Sequence, residues 1–111
     1  MKLLITRDQK DQNDYVSIRT FDEFTELDES CFSQLECIRI DDCELGLSVI
    51  FWLRDHHPLV LRRTFISVNL ASREDTADLV YFINKHRRAI ARDIYNKRYG
   101  LRHYVTDKKG I

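Results

Sequence analysis

The sequence predicts an α/β domain: a short, mostly parallel sheet with flanking helices, ending in a long basic C-terminal helix. Three observations carry this. Apolar runs of strand and helix period follow the order strand, strand, helix, strand, helix, strand, helix, the βαβ rhythm that joins parallel strands through right-handed crossovers. The segment LGLSVIFWLRDHH is apolar on nearly every side until Arg54, as suits a helix inside the packed layers of such a domain. Charge is segregated: residues 1–84 carry nine Lys/Arg against sixteen Asp/Glu, and residues 85–111 carry nine against two.

Residues 2–6, KLLIT, form a short apolar run bounded by RDQKDQND and read as a buried strand. YVSIR, residues 15–19, sets Val and Ile against Tyr, Ser and Arg, the pattern of a second strand. Thr20-Phe-Asp-Glu23 has capping-box spacing, with hydroxyl and carboxylate each serving the other's end of the backbone. Phe21, Phe24 and Leu27 follow at helical spacing, which predicts a helix over 21–29. LECIRID, residues 35–41, alternates into a central strand, and the carboxyls of Asp41, Asp42 and Glu44 crowd its end. The next helix is expected from Leu45 to His57, where Pro58 stops it. RTFISV, residues 63–68, is the fourth strand.

Ser72 and Asp75 cap a long last helix whose first turns are acidic and later turns basic, as the helix dipole favours. Leu79, Ile83, His86, Ile90 and Ile94 mark one face, and Lys85, Arg88 and Arg92 another. A helix over 73–99 would be about 40 Å long, so it either breaks near Asn84–Arg88 or projects beyond the body. Gly100 is the stop, and HYVT in the tail has the pattern of a last edge strand. The chain thus divides into a body, residues 1–84, and a basic helix and tail, residues 85–111, packed on or projecting from the same domain.

A chain of 111 residues with 43% hydrophobic residues and one Pro is sized for a single globular core. Cys31, Cys37 and Cys43 are odd in number and lack C-x-x-C spacing, which argues against a disulfide framework or zinc knuckle and for a reducing compartment, the cytoplasm. MKLLIT is too short for a signal peptide, and no apolar run approaches the ~20 residues of a membrane span.

Three stretches carry a family resemblance. MKLLI with a nearby carboxyl leads to SIRTFDEF at the first helix. ECIRIDDCELG is followed by the apolar helix GLSVIFWL. FISVNLASR is a strand ending in Ser-x-Asn with an Arg four residues after the Asn. In order and spacing these resemble receiver-like domains, and most of all the small cyclic-phosphate-processing receiver domains, over about residues 1–84. The resemblance implies a flavodoxin-like sheet with a helix layer on each side. Its departures lie at the site: Thr6 and Arg7 stand where such domains place two acids, Cys43 intrudes before Glu44, Ile66 replaces a histidine and Leu70 a proline.

Two functions follow. In the first, the pocket is degenerate and non-catalytic, with Arg7 or Arg39 bridging its carboxyls. The module then acts through its basic helix, with Lys85, Arg88, Arg92, Lys97 and Arg98 binding a protein or RNA/DNA, or through a homodimer. In the second, the chain is a metal-dependent enzyme processing cyclic or terminal phosphates. Asp8, Asp41 and Glu44 would hold Mg²⁺, a cation that takes clustered oxygen ligands. Asp41 and Ser67 would be catalytic, and Asn69 and Arg73 would bind phosphate near a helix N-terminus. A minor variant has Asp41 accept a phosphoryl group, with Ser67 and Lys108 as partners. The remaining aromatic residues are expected to be structural: Phe51 and Trp52 as core, His56-His57 as a polar helix end, and Tyr95, Tyr99 and Tyr104 docked on the body or a second copy rather than stacked on bases.

Overall fold

The computed structural model describes residues 1–9 and 12–99. Four strands, β1 (Lys2–Ile5), β2 (Val16–Ile18), β3 (Cys37–Ile40) and β4 (Phe65–Val68), form one sheet in the order β2-β1-β3-β4, every pair parallel. The helices are α1 (Phe21–Thr25), α2 (Glu29–Ser33), α3 (Cys43–His56), α4 (Pro58–Arg63) and α5 (Arg73–Tyr99). None is long and apolar enough to cross a membrane.

Local chemistry explains most boundaries. The Glu23 N–H donates to Thr20 Oγ1 at 3.1 Å while Glu23 Oε1 accepts the Arg19 N–H at 3.2 Å, so the capping signal at α1 is real. The helix expected over 21–29 is nonetheless two short ones, with Asp28 at the N-cap position of α2. Pro58 does not end helical structure; it opens α4 at the first position, where its missing N–H costs nothing. Arg63 holds α2 from a distance: its guanidinium donates to the carbonyls of Leu35 (3.0 Å), Phe32 (2.8 Å) and Ser33 (3.2 Å). Arg87 does the same for the end of α4, donating to the carbonyls of Leu61 and Thr64. Such guanidinium bonds satisfy carbonyls that a helix end leaves without partners.

The topology decides which face is covered. From β1 the chain moves to β2 on one side, then crosses back past β1 to β3 and on to β4 on the other. Right-handed crossovers in opposite directions lie on opposite faces of a sheet. Helices α1 to α4 therefore share one face, and Gln12, between β1 and β2, lies over the other. Residues from all five helices enter a single core with Leu3, Ile5, Ile18, Ile38 and Ile40, which the pairing register places on one side of the sheet. The opposite side presents Lys2, Leu4, Ser17, Cys37, Arg39, Phe65 and Ser67. Leu4 is buried but lies outside that core, and Phe65 is 67% exposed. The layers expected on both faces thus reduce, among the described residues, to helices on one face and a loop on the other.

α5 runs unbroken across residue 84, with Leu79 and Ile83 buried in the core and Ile90 packed against it. At about 40 Å it outruns strands of about 13 Å, so its later turns extend past the sheet. The expected edge strand HYVT and Lys108 lie outside the described residues.

Candidate functional site

Asp41, Ser67 and Asn69 share one hollow. β3 and β4 run in parallel register with Arg39 beside Ser67 and Leu4 beside Arg39, and side chains two residues apart on a strand point the same way. Leu4, Arg39, Asp41, Ser67 and Asn69 therefore face the side opposite the helices. With Gln12 from the loop above, they line a hollow of about 300 Å³. Arg39 Nη1 donates to Gln12 Oε1 at 2.8 Å, and its guanidinium lies 5.6 Å from the centroid of the Tyr15 ring. Arg39 and Gln12 were missing from the residues that sequence reasoning assigned to binding. The alternation Cys37, Arg39, Asp41 carries the signal for Arg39, because it places that side chain on the same face as Asp41.

The other acidic residues have separate positions. Asp42 is the N-cap of α3, its Oδ1 accepting the Leu45 N–H at 2.8 Å. Its other oxygen lies 3.2 Å from Arg7 Nε, so Arg7 bridges Asp42, next to Asp41. Glu44 is exposed in the first turn of α3, and Asp8 is exposed after β1. Neither lines the hollow, and among the described residues no group of three His, Cys, Asp or Glu is arranged to hold a metal ion. Arg73, expected to join Asn69 on a phosphate, is exposed at the start of α5 and is not part of that lining. Cys43 is exposed at the start of α3, and desolvation, then the carboxylates of Asp75, Asp42, Asp78 and Glu44, push its thiol up.

His56 and His57 are absorbed by packing: the His56 ring stacks on Trp52 at 4.5 Å and the His57 ring on Phe32 at 4.8 Å. Trp52 meets Phe24 and Phe32 as expected, whereas Phe51 is 41% exposed against Phe82 and under Arg54.

The second candidate surface is the outer side of α5. At 100° per residue, positions 81, 85, 88, 92 and 95 fall within about 40° of one line, opposite the line of Leu79, Ile83, His86 and Ile90. That outer line carries Tyr81, Lys85, Arg88, Arg92 and Tyr95, all exposed, with the two tyrosines at 65% and 53%. Tyr95 thus lies half-exposed on the side of α5 away from the core. Lys85, Arg88 and Arg92 make no ion pair among the described residues. Beside the line, Arg62, Asn84, Arg87, Arg88 and Ala91 surround a shallow hollow of about 410 Å³. Lys97, grouped with these cations by its sequence position, faces elsewhere: with Pro58, Leu59, Ile90 and Ile94 it lines a hollow of about 450 Å³ on the body side of α5. Arg98 is exposed in the last turn of the helix. Comparison of the chain with protein-family models, curated proteins and solved structures finds no match.

Proposed function

We propose that the chain is a non-catalytic, receiver-like binding module whose long C-terminal helix engages an acidic macromolecule, protein or nucleic acid, along its outer side. The observation that carries this is the line of Lys85, Arg88 and Arg92, exposed and without an ion pair among the described residues, opposite the face that anchors α5. Exposed cations without local partners attract polyanions over a Debye length and steer their approach. The receiver-like part of the reading is supported by the strand order β2-β1-β3-β4, which is the doubly wound order 2-1-3-4-5 without its last strand. The absence of a described helix between β1 and β2 departs from that plan. The non-catalytic part is supported by Arg7 pairing with Asp42 and by the separation of Asp8 and Glu44 from the hollow that holds Asp41.

The test is a salt titration of the full chain against RNA, DNA and an acidic polypeptide, with molecular size measured alongside to detect a homodimer. Binding at low salt that weakens steeply as salt rises is the expected result. A monomer that binds none of these at low salt overturns the proposal. The rival enzyme reading is tested in the same preparation by turnover of a 2′,3′-cyclic phosphate with Mg²⁺ and its loss in Asp41→Ala.

A further inference from the structure

We infer that the hollow between α4 and α5 receives a phosphorylated serine or threonine of a protein partner, with Arg62, Arg87 and Arg88 donating to its phosphate. This rests on the binding-module reading and narrows the partner to a phosphoprotein. Arg62 from α4 and Asn84, Arg87, Arg88 and Ala91 from α5 surround a space of about 410 Å³. Three guanidiniums and a carboxamide thus meet there, with no carboxylate in the lining. Arg62 stands in the last turn of α4 and Arg88 on the outer line of α5. Both are exposed, and neither has a hydrogen bond or ion pair among the described residues. Arg87 differs. It is partly buried, and its Nε and Nη2 donate to the carbonyls of Leu61 and Thr64, which holds the planar fork in place. Its Nη1 has no partner among the described residues. Burial lowers its pKa, with no carboxylate to oppose that shift.

Like charges gathered in one hollow repel, and an anion seated among them replaces that repulsion with attraction. The form of the cluster says which anion. A phosphate monoester carries about −1.5 to −2 charge at pH 7 and three acceptor oxygens, enough for guanidiniums that arrive from two helices. A glutamate or aspartate side chain brings one charge and two oxygens. A phosphodiester inside a nucleic-acid strand also brings one charge per group, repeated along the chain. That repeat suits cations spaced along a line, as Lys85 and Arg92 are, better than cations converging on one spot. The hollow is shallow and lies on the outside of the domain, so the phosphate can stay attached to a chain too large to enter. Lys85 and Arg92, outside the lining, are then placed for acidic residues that flank the modified one.

The experiment measures fluorescence anisotropy of one labelled acidic peptide in two forms, with phosphoserine or glutamate at its centre, titrated with the full chain at low salt. O-phosphoserine, inorganic phosphate, polyglutamate and a single-stranded oligonucleotide with a 5′-phosphate serve as competitors. The proteins are wild type, Arg62→Ala, Arg62→Lys, Arg88→Ala and Lys85→Ala/Arg92→Ala. The phosphoserine form should bind about tenfold or more tighter than the glutamate form. Arg62→Ala and Arg88→Ala should each erase most of that ratio, and because both side chains are exposed neither change should disturb folding. Arg62→Lys keeps the charge but loses the planar fork, and should recover only part of the ratio. Lys85→Ala/Arg92→Ala should weaken both forms alike. Between about pH 7.5 and pH 5.5 affinity for the phosphoserine form should fall, as its phosphate takes up a second proton near about pH 6. The lining holds no His or carboxyl that would titrate with it. A phosphoserine form no tighter than the glutamate form, or a ratio that survives Arg62→Ala and Arg88→Ala, overturns the inference and leaves the acidic-partner reading standing. So does an oligonucleotide that binds tighter than the phosphopeptide and depends on Arg62, which assigns the hollow to a nucleic-acid end. O-phosphoserine or inorganic phosphate that matches the affinity of the phosphopeptide also overturns it, assigning the hollow to a small ligand. Failure of every probe to bind at low salt removes both readings.

Discussion

The carboxyl end of the sheet and the outer side of α5 carry opposite charge, and the fold uses the two very differently. At the sheet end the acidic residues have local work. Asp42 caps α3 and pairs with Arg7, while Glu44 and Asp75 lie in the first turns of α3 and α5, where a helix dipole favours negative charge. Along α5 the cations Lys85, Arg88 and Arg92 have no such role within the described molecule. Crowded charge that caps and pairs is explained by folding. Ordered charge that does neither is open to solvent on the outer side of α5, where the proposed acidic partner would meet it.

The largest expected effect separates these two ends directly. Arg88→Glu/Arg92→Glu should weaken polyanion binding on the order of hundredfold at low salt. The melting temperature should stay within a degree or two, because exposed substitutions away from caps and core change stability little. If the reversal unfolds the protein, the outer side of α5 is structural after all, and the contrast between the two ends fails.

Next in size is a change at the acidic end that has nothing to do with charge. A Cβ built on Gly46 would sit 2.5 Å from Cγ2 of Ile40. α3 therefore passes so close over β3 that only a hydrogen fits between them. Ile40 is β-branched and buried, so it cannot swing aside. Gly46→Ala should cost about 1–3 kcal/mol by overpacking, despite the better helix propensity of alanine, seen as a lower urea midpoint. Polyanion binding by the folded fraction should be unchanged.

Asp42→Ala is expected to be smaller, about 1–2 kcal/mol for the lost N-cap, with little from the Arg7 pair because Arg7 is half-exposed. It should lower the melting temperature by several degrees. Asp42→Asn keeps an oxygen for the Leu45 N–H and should recover most of that loss. If alanine and asparagine are equally destabilising, the ion pair rather than the cap holds this corner.

These sites also show what was legible beforehand. Strand positions followed from alternation, and the caps at Thr20 and Ser72 from side-chain chemistry. The Asp75 N–H does donate to Ser72 Oγ at 3.2 Å. The convergence of Asp41, Ser67 and Asn69 followed from parallel strands ending together. α3 starts two residues before the expected Leu45, at Cys43, because Asp42 caps it directly after β3. α4 was hidden by Pro58, whose ring both ends one helix and begins the next. That no helix covers the second face among the described residues is a matter of topology that no local pattern answers. Lys97 lies about 140° round the helix from Arg92 and lines a hollow with Pro58 and Leu59, an angle that its closeness in sequence to Arg88 and Arg92 does not reveal.

The finest test lies at His86, on the body side of α5 where the two charge regimes overlap. Its ring packs edge-on against Phe82 at 4.4 Å and near Phe51 at 6.1 Å. Burial, followed by Arg54 and Lys85, holds its pKa below the ordinary 6.5, while Asp55 pulls the other way. Between its folded and unfolded pKa values the unfolded chain binds more protons than the folded one, so stability rises with pH across that window. The contribution is fully present above about pH 6.5 and is lost as pH falls through the lower folded value. Melting temperatures of the wild type and His86→Leu, measured from pH 7.5 to pH 5, should therefore diverge, with the wild type losing more on acidification. Added salt should shrink the difference only to the extent that Arg54 and Lys85 contribute, because screening weakens charge repulsion but leaves burial unchanged. A wild-type curve parallel to that of the variant would mean that His86 titrates as it does in water, and that the cations of α5 do not reach the core side of their own helix.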